Sequence, residues 1–219
     1  MRKILLILAI LIGALLGVFI LGRITNLLGF YTVKAGSSLP TLKVNSVVLS
    51  SSLIKPVNGD YIIFWFTDEY YGSQHYIFRQ VADEGDVLEI KNGVAYVNSV
   101  NIDTGLNLFQ YYKVDAKELS DLDVDASLID SNLFVVARET KKIQDANFKG
   151  VLMIEDVTLG EQGATFPGYD ANWTVDNFGP YTIPKGHVFV LADNRHGGRD
   201  SRFIGPVSKD SITSTVFLK

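Results

Sequence analysis

The chain has 219 residues, of which 47% are hydrophobic and 20% charged, with a formal net charge of −4 and an isoelectric point of about 5.4. The acidic balance and the lack of any basic block exclude a nucleic-acid-binding protein. The absence of cysteine excludes disulfides, thiolate catalysis and cysteine metal sites. Because no His/Asp/Glu cluster has metal-ligand spacing either, we expect no metal and no other cofactor.

The N-terminal segment is the first predicted element. Ile4–Gly22 is an unbroken run of 19 apolar or glycine residues, and as a helix it would span roughly 28 Å, close to a bilayer core of about 30 Å. A cleaved signal peptide is the alternative, but its apolar region would be shorter and no convincing small-x-small site precedes Arg23. We therefore expect a retained single-pass anchor. Arg2 and Lys3 outweigh Arg23, which predicts a cytoplasmic N-terminus and an extracytoplasmic remainder of about 190 residues.

Short strands are predicted after the anchor. Asn92-Gly93 is the strongest two-residue hairpin signal, because both positions tolerate positive φ, and it joins the apolar segments Val87–Lys91 and Val94–Val97. The run Tyr61–Phe66 is continuously apolar, as in a strand buried on both faces. The further predicted strands are Tyr31–Val33, Ser46–Ser50, His187–Ala192 and Thr213–Leu218.

The middle of the chain is less regular. A-K-E-L-S-D-L at 116–122 and T-K-K-I-Q-D-A-N-F at 140–148 predict short helices between turn-rich segments. The sequence thus predicts a mostly β fold, an antiparallel sheet domain with an inserted α+β sub-domain and one N-terminal transmembrane helix. The expected divisions are the anchor at 1–23, the β core at 24–100 and 176–219, and the insertion at 101–175.

Four ordered sequence blocks carry the candidate chemistry. They are A-G-S-S-L-P-T-L at 35–42, N-G-D-Y-I-I-F at 58–64, F-R-Q-V-A-D-E-G-D at 78–86 and D-N-R-H-G-G-R-D-S-R-F at 193–203. Ser37 alone would be read as a turn serine. Together with the N-terminal anchor, the blocks resemble the type I signal peptidases, which are membrane-bound serine proteases of the Ser/Lys class.

The resemblance assigns roles to residues of this chain. It implies that Ser37 is the nucleophile and that its own main-chain N–H holds the oxyanion. It also implies a shallow groove for an extended leader peptide, with an edge formed by Val33, Ala35 and Gly36. Arg79 is expected to pair with Asp200 or another acid, and Asp200 and Arg202 have the spacing of one strand face. The residues expected to give structural support to the site are Arg79, Asp193, Asp200 and Arg202.

Three departures from the family pattern affect the catalytic pair of serine and lysine. The lysine that serves as the base falls on Phe78, which cannot accept a proton. The serine that often orients that lysine is replaced by Gly198, and the serine two residues before the nucleophile by Ala35. A serine hydroxyl is a weak nucleophile and needs a base within hydrogen-bond reach, so another residue would have to replace the lysine.

His196 is the candidate for that replacement base. It lies in the loop that the family folds against the active site, and an imidazole with an ordinary pKa near 6.5 can act directly as a base. The alternative interpretation of His196 is a polar loop residue in water. His75 and Lys34 are less suitable, because each lies three residues from the position it would have to serve and faces the opposite side of a strand. His187 begins a strand and has an ordinary strand-end position.

The sequence therefore predicts a membrane-anchored serine endopeptidase that cleaves leader peptides from exported proteins after small residues. Its expected partners are those leader peptides and the lipid bilayer. The alternative is a catalytically inactive homologue that binds leaders as a chaperone or assembly scaffold. A third interpretation, a receptor-like β-domain on a stalk, rests on composition alone.

Overall fold

The computed structural model describes residues 2–24, 27–68, 72–119, 126–130, 133–144, 148–164 and 166–219. The strands in this part of the chain are β1 (Gly29–Thr32), β2 (Val47–Ser51), β3 (Tyr61–Asp68), β4 (Gly72–Asp83), β5 (Val87–Lys91), β6 (Val94–Val97), β7 (Val100–Asn101), β8 (Phe109–Asp115), β9 (Ala126–Asp130), β10 (Leu133–Glu139), β11 (Val151–Leu152), β12 (Phe178–Thr182), β13 (His187–Leu191), β14 (Val207–Ser208) and β15 (Ile212–Leu218). The helices are α1 (Arg2–Ile24), α2 (Ala116–Leu119), α3 (Thr140–Gln144) and α4 (Ser201–Ile204).

Helix α1 covers the predicted anchor. Its span Arg2–Gly22 has a mean hydropathy of 3.3 and none of it is buried against the rest of the protein. By length and composition, this helix could cross a membrane. The ring of Phe19 lies 6.0 Å from that of Phe30, so the end of the helix contacts β1.

Seven strands form the main sheet, in the order β1-β2-β15-β3-β4-β13-β14, and every neighbouring pair is antiparallel. Two four-stranded antiparallel sheets, β12-β5-β6-β7 and β11-β8-β10-β9, complete the fold. The prediction of a mostly antiparallel β fold is therefore confirmed.

Strand β4 pairs with different neighbours along its length. All of its residues up to Arg79 pair with β3, but β13 begins to pair with it only at Arg79. The outer half, 72–78, thus has β3 on one side and no strand of the described chain on the other. The sheet curls so that β1 returns towards this open side, where the rings of Tyr31 and His75 are 5.2 Å apart.

Both faces of the main sheet are packed. Ile62 and Phe64 belong to one apolar cluster, whereas Tyr61 and Ile63 belong to another inside the curl of the sheet. This alternation explains the continuously apolar sequence of β3. A third cluster lies between the main sheet and β12-β5-β6-β7, and it includes Leu88, Phe178, Phe189 and Leu191.

The predicted hairpin matches the structure in register. Lys91 pairs with Val94, and Asn92 and Gly93 have φ of 48° and 78°, as the turn type requires. Both short helices occur in the described chain, as α2 and α3. The rest of the two helix predictions, 120–122 and 145–147, lies outside the described residues.

The division into a core and an insertion stays a prediction. Sheet β11-β8-β10-β9 falls within the expected insertion. However, Leu159, Ala164 and Val175 from the same interval are buried in the cluster that contains Phe189. The later part of this interval thus packs as core.

We predict that Phe178→Ala lowers the free energy of unfolding by about 3–5 kcal/mol, because it empties a well-packed site. Phe178 is 1% exposed and its ring lies 4.4 Å from that of Trp173 and 5.5 Å from that of Phe189. Denaturant unfolding of the full chain in detergent measures the change. Phe217→Ala is the matched control: that side chain is 50% exposed, so we expect a change within about 0.5 kcal/mol. Equal losses in the two variants would contradict the assignment of the core.

Candidate active site

A cleft of about 810 Å³ opens beside Ser37. Its walls come from the end of β1 and the following loop, from the outer half of β4, and from the loop after β13. Its lining residues are Phe30, Tyr31, Thr32, Val33, Lys34, Ala35, Ser37, Ser38, Trp65, Ser73, Gln74, His75, Tyr76, Ile77, Phe78, His196, Gly197, Gly198 and Arg199.

Ser37 lies in a single 3₁₀ turn, Gly36–Ser38, that is fixed from two sides. The buried hydroxyl of Ser38 donates to the carbonyl of Ile77 at 2.9 Å. The main-chain N–H of Asn194 donates to the carbonyl of Ser37 at 3.0 Å, and its side-chain amide donates to the carbonyl of Gly36 at 3.2 Å. The Ser37 hydroxyl itself has no hydrogen-bond partner among the described residues, so the turn presents it to the cleft.

Two strand edges face each other across the cleft. The main-chain groups of Val33 bond Ser46 and Asn45, so those of Thr32 and Lys34 point the other way. On β4, the carbonyl of Ile77 accepts from Ser38 rather than from β3, so the main-chain groups of 73, 75 and 77 point towards the cleft. The described chain supplies no strand between these edges.

The position of the family's lysine is filled by aromatic packing. Phe78 is buried, and its ring lies 6.0 Å from that of Tyr76 and 6.3 Å from that of Phe64. A Cβ added to Gly198 would lie 3.1 Å from Ser37 Cβ and 3.4 Å from the Phe78 ring. The fold therefore brings Ser37, Phe78 and Gly198 together, as the resemblance implies for the nucleophile and the two substituted positions.

Gly198 is constrained by Ala192, where the family has glycine. The added Cβ at Gly198 would lie 2.7 Å from the Cβ of Ala192, closer than real Cβ atoms approach. The contact has room for a Cβ at 192 or at 198 but not at both, so the two departures from the family pattern are sterically compatible.

His196 is buried in the structure, which contradicts its interpretation as a loop residue in water. Its side chain is 2% exposed, and its Nε2 lies 2.9 Å from a carboxylate oxygen of Asp176. Its ring stacks on that of Tyr111, with centroids 5.0 Å apart and planes at 18°. Its Nδ1 is buried and has no hydrogen-bond partner among the described residues.

The other candidate bases have different surroundings. His75 lines the cleft with its ring between Tyr31 and Trp65, and partial burial lowers its pKa. Lys34 lines the cleft from the opposite edge. His187 is outside the cleft lining, and its Nδ1 lies 3.0 Å from the carbonyl of Lys185.

The carboxylate of Asp193 connects several segments behind the nucleophile. Arg79 donates to it from Nε at 2.8 Å and from Nη2 at 2.6 Å, and Tyr61 and Thr41 each donate at 2.5 Å. Burial and the Asp193 charge raise the pKa of Tyr61. Burial alone would lower the pKa of Arg79, but Asp193 outweighs it and raises that pKa. Arg79 thus pairs with Asp193, not with Asp200.

Asp200 and Arg202 form a separate buried pair. Contrary to the expectation of one strand face, Asp200 caps the N-terminus of α4. Its carboxylate accepts from Arg202 at 2.7 and 2.8 Å and from the N–H of Ala192 at 2.8 Å. Arg202 also donates to the carbonyls of Val175 and Arg195. This pair ties both ends of the loop after β13 together.

The three residues expected at the groove edge differ in which of their atoms face the cleft. Val33 and Ala35 line the cleft, but the Val33 side chain is buried inside the curl of the sheet and its main-chain N–H and C=O are bonded to Ser46 and Asn45. Gly36 is absent from the described lining, and its carbonyl is occupied by Asn194 and the N–H of Leu39.

Sequence reasoning missed two contributors to this site, Asp176 and Tyr111, and it noted Ala192 and Asn194 at the start of the fourth block without giving either a role in the site. Asn194 belongs to the quoted D-N-R block, and that match was the signal that could have indicated its role. Asp176 and Tyr111 come from irregular sequence without a recognisable motif. In the described ranges, no group of three His, Asp or Glu side chains is placed to hold a metal ion.

Comparisons with known proteins agree with the sequence resemblance. The family model "Signal peptidase, peptidase S26" matches residues 3–219. Signal peptidase I of Aquifex aeolicus (strain VF5) is 26% identical over 212 residues, covering 86% of this chain and 73% of that protein. Signal peptidase I of Bacillus caldolyticus is 24% identical over 189 residues, covering 85% and 75%. A crystal structure of a signal peptidase I from Enterococcus faecalis V583 is 20% identical, with a TM-score of 0.39, over 75% of this chain and 98% of that chain.

We predict that Gly198→Ser lowers the free energy of unfolding by about 1–3 kcal/mol, because its Cβ would overlap that of Ala192. In the Ala192→Gly background the same change should cost less than half as much, since the contact is removed. Denaturant unfolding of the two single variants and the double variant measures this coupling. Strictly additive effects would contradict a steric contact between positions 192 and 198.

Proposed function

The chain belongs to the signal peptidase family, peptidase S26, and we propose that it is a membrane-anchored serine endopeptidase that removes leader peptides from exported proteins. In this proposal Ser37 is the nucleophile and His196 replaces the family's lysine as the base. The observation that carries the proposal is the position of Ser37, whose hydroxyl has no partner among the described residues and borders a cleft between two strand edges that no described strand fills.

The open edges suit an extended peptide. A leader segment lying between 32–34 and 73–77 would bond the main-chain groups that point into the cleft, adding a strand to the curled sheet. The side chains that project near Ser37 are those of the substrate residues on either side of the bond to be cleaved. The space there is limited by Phe78, which favours a small residue before that bond.

In the proposed reaction, Ser37 attacks the substrate and His196 carries the proton. As the Ser37 oxygen bonds to the substrate carbonyl carbon, its proton moves to His196 and the carbonyl π electrons move to the oxygen. The Ser37 N–H stabilises that negative charge. Collapse of the intermediate breaks the C–N bond, and His196 returns the proton to the leaving nitrogen. Water then releases the leader from the acyl-enzyme by the same steps.

The anchor places this chemistry near a bilayer. We propose that α1 crosses the membrane with the N-terminus in the cytoplasm and the cleft on the extracytoplasmic side. The contact of Phe19 with Phe30 keeps the cleft edge close to the end of the helix. A leader held in the membrane would thus present its cleavage site at the cleft.

Cleavage of a leader-bearing precursor by the full chain in detergent tests the proposal. We expect Ser37→Ala to reduce kcat/KM by more than about 10³-fold and His196→Ala by about 10²–10⁴-fold. The matched control is His187→Ala, a histidine outside the cleft, which should leave the rate unchanged.

The outcomes separate the two assignments. Cleavage that persists in Ser37→Ala would show that Ser37 is not the nucleophile. Cleavage that depends on Ser37 but not on His196 would assign the base elsewhere in the cleft. Equal losses in His196→Ala and His187→Ala would indicate a general effect of removing an imidazole.

A further inference from the structure

The imidazole of His196 is held by an acid that the mechanism above does not use. Asp176 is 1% exposed, and its Oδ2 accepts from the N–H of Glu155 at 2.8 Å and lies 2.9 Å from Nε2 of His196. Among the described residues, His196 is the only one whose side chain forms a hydrogen bond with this carboxylate. A buried carboxylate without a strong donor is unfavourable, so this bond favours a proton on Nε2.

The other imidazole nitrogen then has a defined state. In a neutral imidazole, a proton on Nε2 leaves Nδ1 as an acceptor with a lone pair. The Nδ1 of His196 is buried without a partner, and His196 lines the same cleft as Ser37. Stacking on Tyr111 fixes the plane of the ring. An imidazole with a free lone pair and a fixed ring is in the protonation state that a general base needs.

The charged groups around Asp176 and His196 do not compete for the hydrogen bond between them. Burial would lower the pKa of Arg202, but Asp200, and to a smaller extent Asp176 and Glu155, raise it. Arg202 directs its hydrogen bonds to Asp200 and to two carbonyls. In the same loop, Arg195 is paired with Asp103. The neighbouring guanidinium groups are thus occupied, and Asp176 remains with His196.

We infer that Asp176 is a positioning residue, which holds His196 in the Nε2-protonated form and leaves Nδ1 as the nitrogen that can accept a proton. This inference rests on the proposed function for its catalytic consequence. When His196 takes the proton from Ser37, the imidazolium that forms carries a proton on each nitrogen, and Asp176 stabilises it through the Nε2 bond. No proton passes to the carboxylate.

The first test is the tautomer of His196 in the full-length wild-type protein. The chain has three histidines, and ¹⁵N spectra of the histidine-labelled protein in detergent distinguish a protonated from an unprotonated ring nitrogen. His196→Ala assigns the signals. We expect Nε2 to be protonated and Nδ1 to be the acceptor at neutral pH. A proton on Nδ1 instead would overturn the inference, whether or not the protein cleaves a precursor.

The second test is Asp176→Asn, which keeps an oxygen for the Glu155 N–H but removes the charge. We expect kcat/KM to fall about 10–1000-fold, and the acid limb of its pH profile to move to lower pH because the imidazolium loses a stabilising charge. Combined with His196→Ala, the same change should cost nothing further, since Asp176 acts through His196.

The matched control is Asp103→Asn, which removes a carboxylate bonded to Arg195 of the same loop but not to His196. It should leave the acid limb of the pH profile in place. Equal profiles for Asp176→Asn and Asp103→Asn, with Ser37-dependent cleavage intact, would overturn the inference alone. Wild-type protein without Ser37-dependent cleavage would overturn the proposed function, and the tautomer would still decide the role of Asp176.

Discussion

The buried carboxylate of Asp193 is the interaction on which the geometry of the site depends. Its donors come from β3, from β4, and from the segment just after the nucleophile turn, while Asp193 itself begins the loop that contains Asn194 and His196. A carboxylate buried with four donors has one acceptable arrangement, because any missing donor leaves a desolvated charge. Strands and loops that are distant in sequence are therefore held at fixed distances around Ser37.

The residues at the substituted positions, Phe78, Ala192 and Gly198, pack together without steric conflict. Phe78 occupies the base position with a ring that joins the apolar cluster of Phe64. The contact between positions 192 and 198 has room for one Cβ, and it is that of Ala192. Under the proposed function, acid–base chemistry at Ser37 comes from the loop after β13, the part of the cleft wall that carries a buried imidazole.

The sequence predicted the backbone of this site better than its side-chain chemistry. Alternation and turn signals placed β3 and the β5–β6 hairpin, since these depend on local periodicity. The quoted blocks brought Ser37, Phe78 and Gly198 together through the family resemblance. The pairing of Arg79 with Asp193 and the contact of Asp176 with His196 depend on how distant segments pack, and no local pattern encodes them. The expectation for Arg79 therefore left its acid partner open, and the contact of Asp176 was missed. The cap formed by Asp200 is local, but the spacing of Asp200 and Arg202 also fits a strand, so that element was assigned wrongly.

The two unpaired strand edges have a consequence for what this cleft can accept. Hydrogen bonds between main chains require an extended conformation but do not depend on side-chain identity. Under the proposed function, leaders of very different sequence can therefore bond the same two strand edges. In a folded domain an inner strand is already paired on both sides and an edge strand on one, so neither can bond the two edges of the cleft at once. Under the proposed function, the missing strand lets the enzyme distinguish the unfolded leader of a precursor from the folded protein attached to it.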